Sequence, residues 1–457
     1  EHNGAWRWDV QDNTADGCVA LSGPTNENHA WFKELHLGES FTTVPASFTI
    51  AHDFDGVIAN VTDYRREVRS PHVDNVEPSV VFNDYMNTIY GDPTTEKELP
   101  LIEAAGKAGI EIFVIDCGWY DDTGNWWPSV GEWMPSKTRF PGEKGIVEVI
   151  DAIKDAGMIP GIWIEPEMVN PKSELAEKHP DWIVRPPKRE APTTRNQWLL
   201  DLTNPKVQDF VFGVFDNTMK PSDKIDYIKW DANMTLFNYG STYLPRDKQS
   251  HLYIAYHRGL ENILKRIHAK YPGLVMQACA SGGGRINYGL LPYYDEFWTS
   301  DNTDALQRIF IQWGVSNFFP AVAMASHVSA SPNHQTGRNV PLKLRFDVAM
   351  SGRLGLELQP SKMTGKEKEF ARRAIADYKE IRPIVQQGDL YRLISPFDKT
   401  GYASLMYVSP EKDHAAYFVY KLEQYHNMPR PAFRMAGLDP QKRYLVRELS
   451  LDGKPIP

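Results

Sequence analysis

The sequence predicts an α/β protein built on a (β/α)8 barrel, with an N-terminal β-sandwich segment and a C-terminal antiparallel β-domain on either side. From Val80 onward, short apolar runs alternate with amphipathic segments, which is typical of a parallel sheet wrapped by helices. Before this region and after the last long helix, short polar-apolar alternations between turn residues indicate β-structure. We expect three units: a partial sandwich over 1–75, the barrel over 76–388, and a C-terminal β-domain over 389–457, cut short by the chain end.

The N-terminal unit is predicted from alternations such as Ser47-Phe-Thr-Ile-Ala-His52, which are separated by Gly and Asp turns. The barrel then needs eight parallel strands, and eight short runs of suitable composition follow in order. The predicted strands are Val80 to Asp84, Glu111 to Asp116, Ile159 to Glu165, Asp226 to Asp231, Val275 to Ser281, Glu296 to Asp301, Ala321 to His327 and Asp347 to Ser351.

Amphipathic helices are predicted between these strands. Apolar residues three and four positions apart form one stripe on each, and Gly109 ends the first helix. The predicted helices are Glu96 to Lys107, Gly145 to Ala156, His251 to Lys270 and about Lys366 to Gln387. In the C-terminal unit, the alternation returns at Ala415-Ala-Tyr-Phe-Val-Tyr420.

Two connections depart from the regular pattern. Between Glu167 and Asp226 the chain has a long insertion with a proline-rich piece, which a compact barrel would carry mainly for binding. We therefore expect Arg195, within this insertion, to point at the site. Between Ser281 and Glu296 there is room for only one or two helical turns.

Composition excludes several classes of protein. The 457 residues include 42% hydrophobic and 24% charged side chains, enough for a large core. A net charge of -9 and the lack of a long basic run oppose nucleic-acid binding. No apolar stretch is long enough to span a membrane, so we expect a soluble protein, either cytoplasmic or secreted. Three scattered cysteines favour neither a disulfide framework nor a zinc site.

Two aspartates each close a predicted strand: Asp231 in Tyr227-Ile-Lys-Trp-Asp231 and Asp301 in Phe297-Trp-Thr-Ser-Asp301. Barrel enzymes place their chemistry at the carboxyl ends of the strands, so the position of the pair predicts catalysis and resembles the carboxylate pair of a glycosidase. Side chains alternate along a strand, so Lys229 shares a face with Asp231 and is expected to favour its ionised form. Ordinary ion pairs or turns are the alternative interpretation from position alone.

Four motifs together resemble glycoside hydrolase family 36, the α-galactosidase family, from roughly Asn83 to Glu357. They are Gly161-Ile-Trp-Ile-Glu-Pro-Glu-Met168, Tyr227-Ile-Lys-Trp-Asp231, Trp298-Thr-Ser-Asp-Asn-Thr-Asp304 and His327-Val-Ser-Ala-Ser-Pro-Asn-His-Gln-Thr-Gly-Arg338. The resemblance implies a retaining exo-α-glycosidase with Asp231 as nucleophile and Asp301 as acid/base. The resemblance also implies that no cofactor or metal is needed. We therefore expect His327, His334 and Asp347 to form hydrogen bonds rather than to bind a metal.

The resemblance also implies sugar contacts. Asp116 would hold the 4- and 6-hydroxyls of a galacto-configured ring, Lys229 the 3-hydroxyl, and Cys279 with the following glycine-rich turn the 2-position. Arg195 matches a further site residue of the family. Trp163 and Trp298 offer flat apolar faces next to strand ends, although core packing would explain either of them equally well.

Three departures from the family pattern fall in the sugar pocket. A paired Asp-Asp is Asp116-Cys117 here, Asn-x-Trp is Asn83-Asp-Tyr85, and Cys-Ser-Gly is Cys279-Ala-Ser281. Losing a carboxylate and gaining a hydroxyl change the hydrogen bonds offered to the ring. We therefore expect a 2-amino or 2-acetamido galactoside as substrate, with plain α-galactosides as the close competitor.

Other functions share parts of this pattern. A transferase of the raffinose-synthase type would have the same barrel and both aspartates, and a non-catalytic carbohydrate-binding protein would be expected to lack one of them. Expected partners are an oligosaccharide or glycoconjugate substrate, with neither nucleic acid nor membrane, and a homo-oligomer is left open. Family members usually have a larger N-terminal sandwich, so the resemblance implies that the chain is a fragment of a longer protein.

Overall fold

A computed structural model describes residues 5–12, 16–233, 240–424, 426–427 and 430–449 of the chain. The ends of the two flanking units, 1–4 and 450–457, therefore lie outside the described residues. The N-terminal segment forms an antiparallel hairpin and two helices. These elements are β1 (Arg7–Asp12), β2 (Gly17–Ser22), α1 (Asn26–His29) and α2 (Phe54–Glu67).

The predicted strand over Ser47 to His52 is wrong. This stretch has no strand hydrogen bonds, and its two alternating apolar side chains, Phe48 and Ile50, are each 83% exposed. An alternating pattern forms a strand only where a neighbouring strand pairs with it and a core covers its apolar face. Neither lies beside this stretch within the described residues, so the hairpin is the β-structure described in this unit.

Eight parallel strands close into a barrel, which confirms the predicted fold class. They pair in chain order, and the last strand returns to the first. The elements from the barrel to the end of the last helix are β3 (Val81–Asn83), α3 (Thr95–Ala108), β4 (Ile112–Ile115), α4 (Ile146–Asp155), β5 (Ile159–Ile164), β6 (Met168–Val169), α5 (Glu174–Lys178), β7 (Trp198–Leu199), α6 (Pro205–Met219), β8 (Tyr227–Trp230), α7 (Leu252–Lys270), β9 (Val275–Ala278), β10 (Glu296–Trp298), α8 (Ala305–Val315), β11 (Met324–Ser329), α9 (Leu342–Ala349), β12 (Arg353–Glu357) and α10 (Gly365–Gln387). The barrel strands are β3, β4, β5, β8, β9, β10, β11 and β12.

The eighth strand is misplaced in the sequence prediction. Asp347 to Ser351 falls largely on α9, and the strand is β12 instead. This strand begins with a fully buried arginine, Arg353, which pairs with Asp74 (2.5 Å) and Glu296 (2.9 Å). Charged residues are almost never fully buried unless paired, and the sequence does not show such partners. The seventh strand, β11, also begins later than predicted, because a single 3-10 turn occupies Ala321–Ala323.

The helices follow local sequence signals. Helix α3 begins after Thr94, whose hydroxyl accepts the backbone N–H of Lys97 at 3.3 Å, and ends at Gly109 with φ of 94°. Helix α4 buries its predicted apolar stripe, which consists of Ile146, Val149, Ile150 and Ile153. Burying side chains of this size stabilises the fold by about 1.5–3 kcal/mol each.

The C-terminal unit begins with a three-stranded antiparallel sheet, as predicted for this part of the fold. Its strands are β13 (Asp389–Ile394), β14 (Tyr402–Val408) and β15 (Ala415–Lys421). Strand β14 lies in the centre and pairs with both others. The division of the chain into three units at 75/76 and 388/389 stays a prediction. Among the described helices, none is long and apolar enough to cross a membrane.

Candidate active site

The two aspartates lie at the carboxyl ends of β8 and β10, where barrel enzymes carry their chemistry. Asp231 follows β8 directly and is buried. Its Oδ2 accepts the indole N–H of Trp163 at 3.2 Å, and its Oδ1 accepts the backbone N–H of Ala232 at 2.9 Å. These two donors, one on each carboxylate oxygen, hold the Asp231 side chain in position at the end of β8.

Asp301 has a different environment. Its Oδ1 accepts the indole N–H of Trp298 at 2.9 Å, and its side chain is only partly covered. Burial and the nearby charge of Asp231 raise the pKa of Asp301, while the Trp298 hydrogen bond and the charges of Lys229 and Arg195 act in the opposite direction. Asp301 is therefore a carboxyl group whose protonated form is favoured beside a second carboxylate, as an acid catalyst needs.

Lys229 pairs with Asp116 rather than with Asp231. Its Nζ lies 2.8 Å from Oδ2 of Asp116, and the same oxygen accepts a hydrogen bond from Nδ2 of Asn83 at 2.7 Å. Burial lowers the pKa of Lys229, but the charge of Asp116 and other nearby groups outweighs it, and the pKa ends well above its usual value. The predicted influence on Asp231 therefore acts at longer range, and the direct contact belongs to the proposed sugar-binding carboxylate.

Both predicted tryptophans are buried, and each donates to one of the two aspartates. Trp163 also packs at 6.0 Å from Trp133 and edge-on to Trp126 at 6.1 Å. The ring of Trp298 lies 5.7 Å from Nζ of Lys229. The structure thus gives both indoles a packing role and a hydrogen-bonding role.

The side chain of Arg195 extends from the long insertion to Ser281, in the turn that follows β9. Its Nη1 donates to Oγ of Ser281 at 3.1 Å, and its guanidinium lies 4.9 Å from the centre of the Trp127 ring. Ser281 in turn donates to Oδ1 of Asn233 through both its backbone N–H (2.7 Å) and its hydroxyl (2.8 Å). Arg195 and Ser281 both adopt left-handed backbone angles, with φ of 54° and 48°. These contacts join the insertion to the turn that follows β9.

Asn233 connects this turn to a buried carboxyl group, Glu165. Its backbone N–H and its Nδ2 both donate to Oε1 of Glu165, at 2.7 and 2.6 Å, and Gln197 donates to Oε2 at 2.8 Å. Burial and the charge of Asp231 raise the pKa of Glu165 to about 8. Glu165 therefore lies close enough for the charge of Asp231 to affect it, and it also holds Asn233 in place.

Of the remaining predicted residues, Cys117 and Tyr85 lie beside Asp116, and Cys279 lies beside Trp298. The backbone N–H of Cys117 donates to Oδ1 of Asp116 at 2.8 Å, and burial, followed by the charge of Asp116, raises the pKa of the thiol. The Tyr85 ring packs edge-on against Trp126 at 6.3 Å. Burial raises the pKa of its phenol, so it remains a neutral donor. Cys279 packs against Trp298.

One acidic residue at the barrel mouth was not predicted. Glu357 ends β12, and burial raises its pKa to about 7 against the charges of Lys229 and Arg308. It accepts a hydrogen bond from Asn87 at 3.2 Å and lies 3.4 Å from Nδ1 of His327. It was missed because the eighth strand was placed too early. The alternation of Arg353, Gly355 and Glu357 is the signal that identifies the strand.

The residues considered as metal ligands are engaged separately. His327 lies against Glu357, and His334 lies 3.0 Å from Oδ1 of Asn87. Asp347 accepts from Lys343 on α9 at 2.6 Å. In the part of the chain that the structure describes, no three potential ligands form a group that could hold a metal ion.

Comparisons with known proteins match both the barrel and the C-terminal unit. A melibiase family model matches residues 43–388, and a model of the glycosyl hydrolase family 36 C-terminal domain matches residues 402–454. Alpha-galactosidase 1 of Pediococcus pentosaceus is 34% identical over 97% of this chain and 60% of its own length. Alpha-galactosidase AgaA of Geobacillus stearothermophilus is 36% identical over 92% of this chain and 57% of its own length. The chain thus spans about 60% of the length of these curated relatives.

Solved structures agree with these matches. The crystal structure of the AgaA enzyme from Geobacillus stearothermophilus has a TM-score of 0.81 and 36% identity, over 84% of this chain and 53% of that one. The α-galactosidase from Lactobacillus brevis has a TM-score of 0.83 and 33% identity, over 89% and 56%. Structures of the AgaA enzyme also exist in complex with raffinose and with stachyose. Because the melibiase model covers most of the chain and the C-terminal model follows it in order, this protein belongs to glycoside hydrolase family 36.

Proposed function

We propose that the chain carries the catalytic unit of a retaining exo-α-galactosidase. The observation that supports this most strongly is the unequal environment of the two aspartates, which follow β8 and β10 on either side of β9. Asp231 accepts one hydrogen bond on each of its carboxylate oxygens, whereas burial and the charge of Asp231 raise the pKa of Asp301. Glycoside hydrolysis with retention requires one carboxylate as nucleophile and one protonated carboxyl group as acid, and the two environments suit this division.

In the first step, an oxygen of Asp231 forms a bond to the anomeric carbon while the bond from that carbon to the leaving oxygen breaks. Asp301 gives its proton to that oxygen, so the aglycone leaves as a neutral alcohol. In the second step, Asp301, now ionised, takes a proton from water as the water oxygen attacks the anomeric carbon. Asp231 is released as a carboxylate, and the sugar keeps its original α-configuration.

The charged groups around Asp116 are suited to binding the hydroxyl groups of a sugar ring. The Asp116 carboxylate and the Lys229 ammonium offer an acceptor and a donor side by side, which suits neighbouring hydroxyl groups. Under this proposal Tyr85 and Cys117 line the same end of the ring, while Cys279, Ser281 and Arg195 lie towards the 2-position.

The preferred sugar in this proposal is plain α-galactose. The expected preference for a 2-amino or 2-acetamido sugar has no support among the relatives named above, which are all α-galactosidases. Ser281, a main reason for that expectation, already donates its hydroxyl hydrogen to Asn233 and accepts from Arg195. It therefore has no free hydrogen to offer a substituent at the 2-position. The amino sugars stay as the second candidate.

A substrate panel tests the proposal. Hydrolysis rates of nitrophenyl α-galactoside, α-N-acetylgalactosaminide and α-galactosaminide are compared, and the first is expected to have the highest kcat/KM. A clear preference for either amino sugar would overturn the choice of sugar. Product analysis with raffinose and a sugar acceptor separates hydrolysis from transfer, because a synthase-type enzyme would yield a new oligosaccharide instead of free galactose.

The nucleophile is tested by Asp231→Asn, with Asp226→Asn as the matched control. Asp226 immediately precedes the same strand at its opposite end and receives the same change. The first variant is expected to lose turnover, and the second to keep it. If Asp231→Asn hydrolysed the galactoside at the normal rate, both the nucleophile and the retaining mechanism would be wrongly assigned.

A further inference from the structure

Two buried carboxyl groups behind Asp116 have no part in the mechanism above. Asp84 follows β3 and is 2% exposed, and Glu98 lies in α3 and is 0% exposed. The two side chains are near enough for each carboxyl group to affect the pKa of the other. Two acidic side chains in contact inside a protein form an unfavourable pair if both are ionised.

Three of the four carboxyl oxygens of Asp84 and Glu98 have no hydrogen-bond donor among the described residues. Oδ1 of Asp84 accepts the backbone N–H of Asp116 at 2.8 Å. The other oxygen of Asp84 and both oxygens of Glu98 are buried, and no N–H or O–H group of the described residues donates to them. Buried polar atoms nearly always have a hydrogen-bond partner. A single proton on one of the two carboxyl groups would give a partner to two of these three oxygens, because an acid O–H can donate to the neighbouring carboxylate.

We infer that Asp84 and Glu98 share one proton and form a positioning pair for Asp116. The pair then carries one negative charge instead of two, and Oδ1 of Asp84 stays free to hold the Asp116 backbone. Asp116 in turn holds Lys229. The role of Asp116 in sugar binding belongs to the proposed function, on which this part of the inference rests.

The electrostatic surroundings favour keeping the proton. Burial, followed by the charge of Glu98 and then that of Asp116, raises the pKa of Asp84, and burial raises the pKa of Glu98 to about 7. The thiol of Cys117 also faces Asp84 and would add negative charge if ionised. Arg139, whose backbone carbonyl accepts the N–H of Thr95 at the start of α3, is itself paired with Asp121 and Asp92.

The shared proton has a consequence at alkaline pH. Its loss would place a second negative charge beside Asp116 in a buried site, and the two carboxylates would repel each other. Asp84 would then hold the Asp116 backbone less firmly, so substrate binding should weaken before the chemical step does. We expect KM to rise above pH of about 7, where Glu98 titrates, while kcat changes less.

Thermal unfolding at a series of pH values tests the pair without using any substrate. Groups whose pKa is raised in the folded state stabilise it fully below their unfolded pKa, and this stabilisation is lost as pH rises through the folded pKa. The Tm of the unmodified chain should therefore fall between pH of about 4 and about 7 and beyond. In Glu98→Gln the amide can donate to Asp84 permanently, so this fall should become shallower.

Glu103→Gln is the matched control, since it carries the same change on an exposed position of the same helix. It should keep the pH dependence of the unmodified chain. The second variant, Asp84→Asn, changes the other member of the pair and keeps an oxygen for the Asp116 N–H. It should also show a shallower fall of Tm with pH, and it serves as the test if Glu98→Gln folds poorly. If both variants kept the pH dependence of the unmodified chain, the shared proton would be excluded.

Kinetic measurements with nitrophenyl α-galactoside test the positioning role of the pair. Glu98→Gln should remove the rise in KM above pH of about 7, with kcat close to that of the unmodified chain. A KM that rises equally in this variant overturns the positioning role. If the chain cleaved no α-galactoside, the proposed function would fail, yet the unfolding measurement would still decide whether the proton is shared.

Discussion

Lys229 and Asp116 form a buried ion pair at the mouth of the barrel, with 2.8 Å between Nζ and Oδ2. They come from different strand ends, and Asn83 donates to the same carboxylate oxygen. Removing one member of such a pair leaves a buried charge without a partner, which typically costs about 3–5 kcal/mol. The pair therefore links the stability of the barrel mouth to its proposed function.

We accordingly expect Lys229→Met to lower the free energy of unfolding by about 3–5 kcal/mol. The double variant Lys229→Met with Asp116→Asn should recover part of this loss, because the charge left behind is removed. Urea denaturation of the single and double variants measures the coupling. Strictly additive losses would show that the two side chains do not stabilise each other.

Loss of the Asp301 carboxyl group should slow hydrolysis most for substrates with poor leaving groups. Asp301→Asn removes the acid, so hydrolysis of raffinose should slow by about 10²–10⁴-fold. The first step with nitrophenyl α-galactoside should slow far less, since nitrophenolate leaves without a proton. The values of kcat/KM on both substrates measure the contrast, because they report the first step and not the second step that both substrates share. An equal loss of kcat/KM on both would argue against acid catalysis by Asp301.

The hydrogen bond from Trp298 should lower the pKa of Asp301. It favours the ionised form of Asp301, so Trp298→Phe should raise the pKa of this carboxyl and move the alkaline limb of kcat to higher pH. A hydrogen bond to a charged group contributes about 1.5–3 kcal/mol, which corresponds to roughly one pH unit or more. The pH profile of kcat is the measurement.

Trp163→Phe is the control for this prediction, because it removes an equivalent donor from Asp231. It should reduce kcat without displacing the alkaline limb. A displacement in both variants would show that the limb reports a different group.

Two variants of Ser281 should show how much backbone strain at this position lowers thermal stability, separately from the loss of its hydrogen bonds. Its φ of 48° suits glycine, and a non-glycine residue there costs about 1–2 kcal/mol. Ser281→Ala keeps this strain and loses the hydrogen bonds of the Ser281 hydroxyl with Asn233 and Arg195, whereas Ser281→Gly loses the same hydroxyl bonds but relieves the strain. The glycine variant should therefore unfold at the higher temperature of the two. Equal Tm values would mean that the serine backbone is not strained.

Sequence reasoning located most of the barrel because each strand and helix carries its own local signal. The stripe of α4 and the glycine after α3 are examples, and both are found where expected. Asp231 and Asp301 were recognisable from their motifs and from their places after strands. A local pattern was sufficient for these features.

Features that depend on partners distant in the chain were missed. Strand β12 begins with the buried Arg353, whose ion partners lie near two other strands, so composition alone disfavours a buried strand there. Lys229 shares a strand face with Asp231, yet its ion partner follows a different strand. The alternation at Ser47 to His52 shows the converse, a local strand signal without a neighbouring strand in the described structure. Tertiary context decides all three cases.

The pairing of Arg353 with Asp74 also limits where the chain can be shortened. Asp74 precedes the predicted barrel boundary at residue 76, yet it neutralises an arginine inside the barrel beside Glu296. A recombinant catalytic unit that started at residue 76 would leave that guanidinium with only one of its two acidic neighbours. Preparations of the barrel intended for crystallisation or engineering should therefore begin upstream of Asp74.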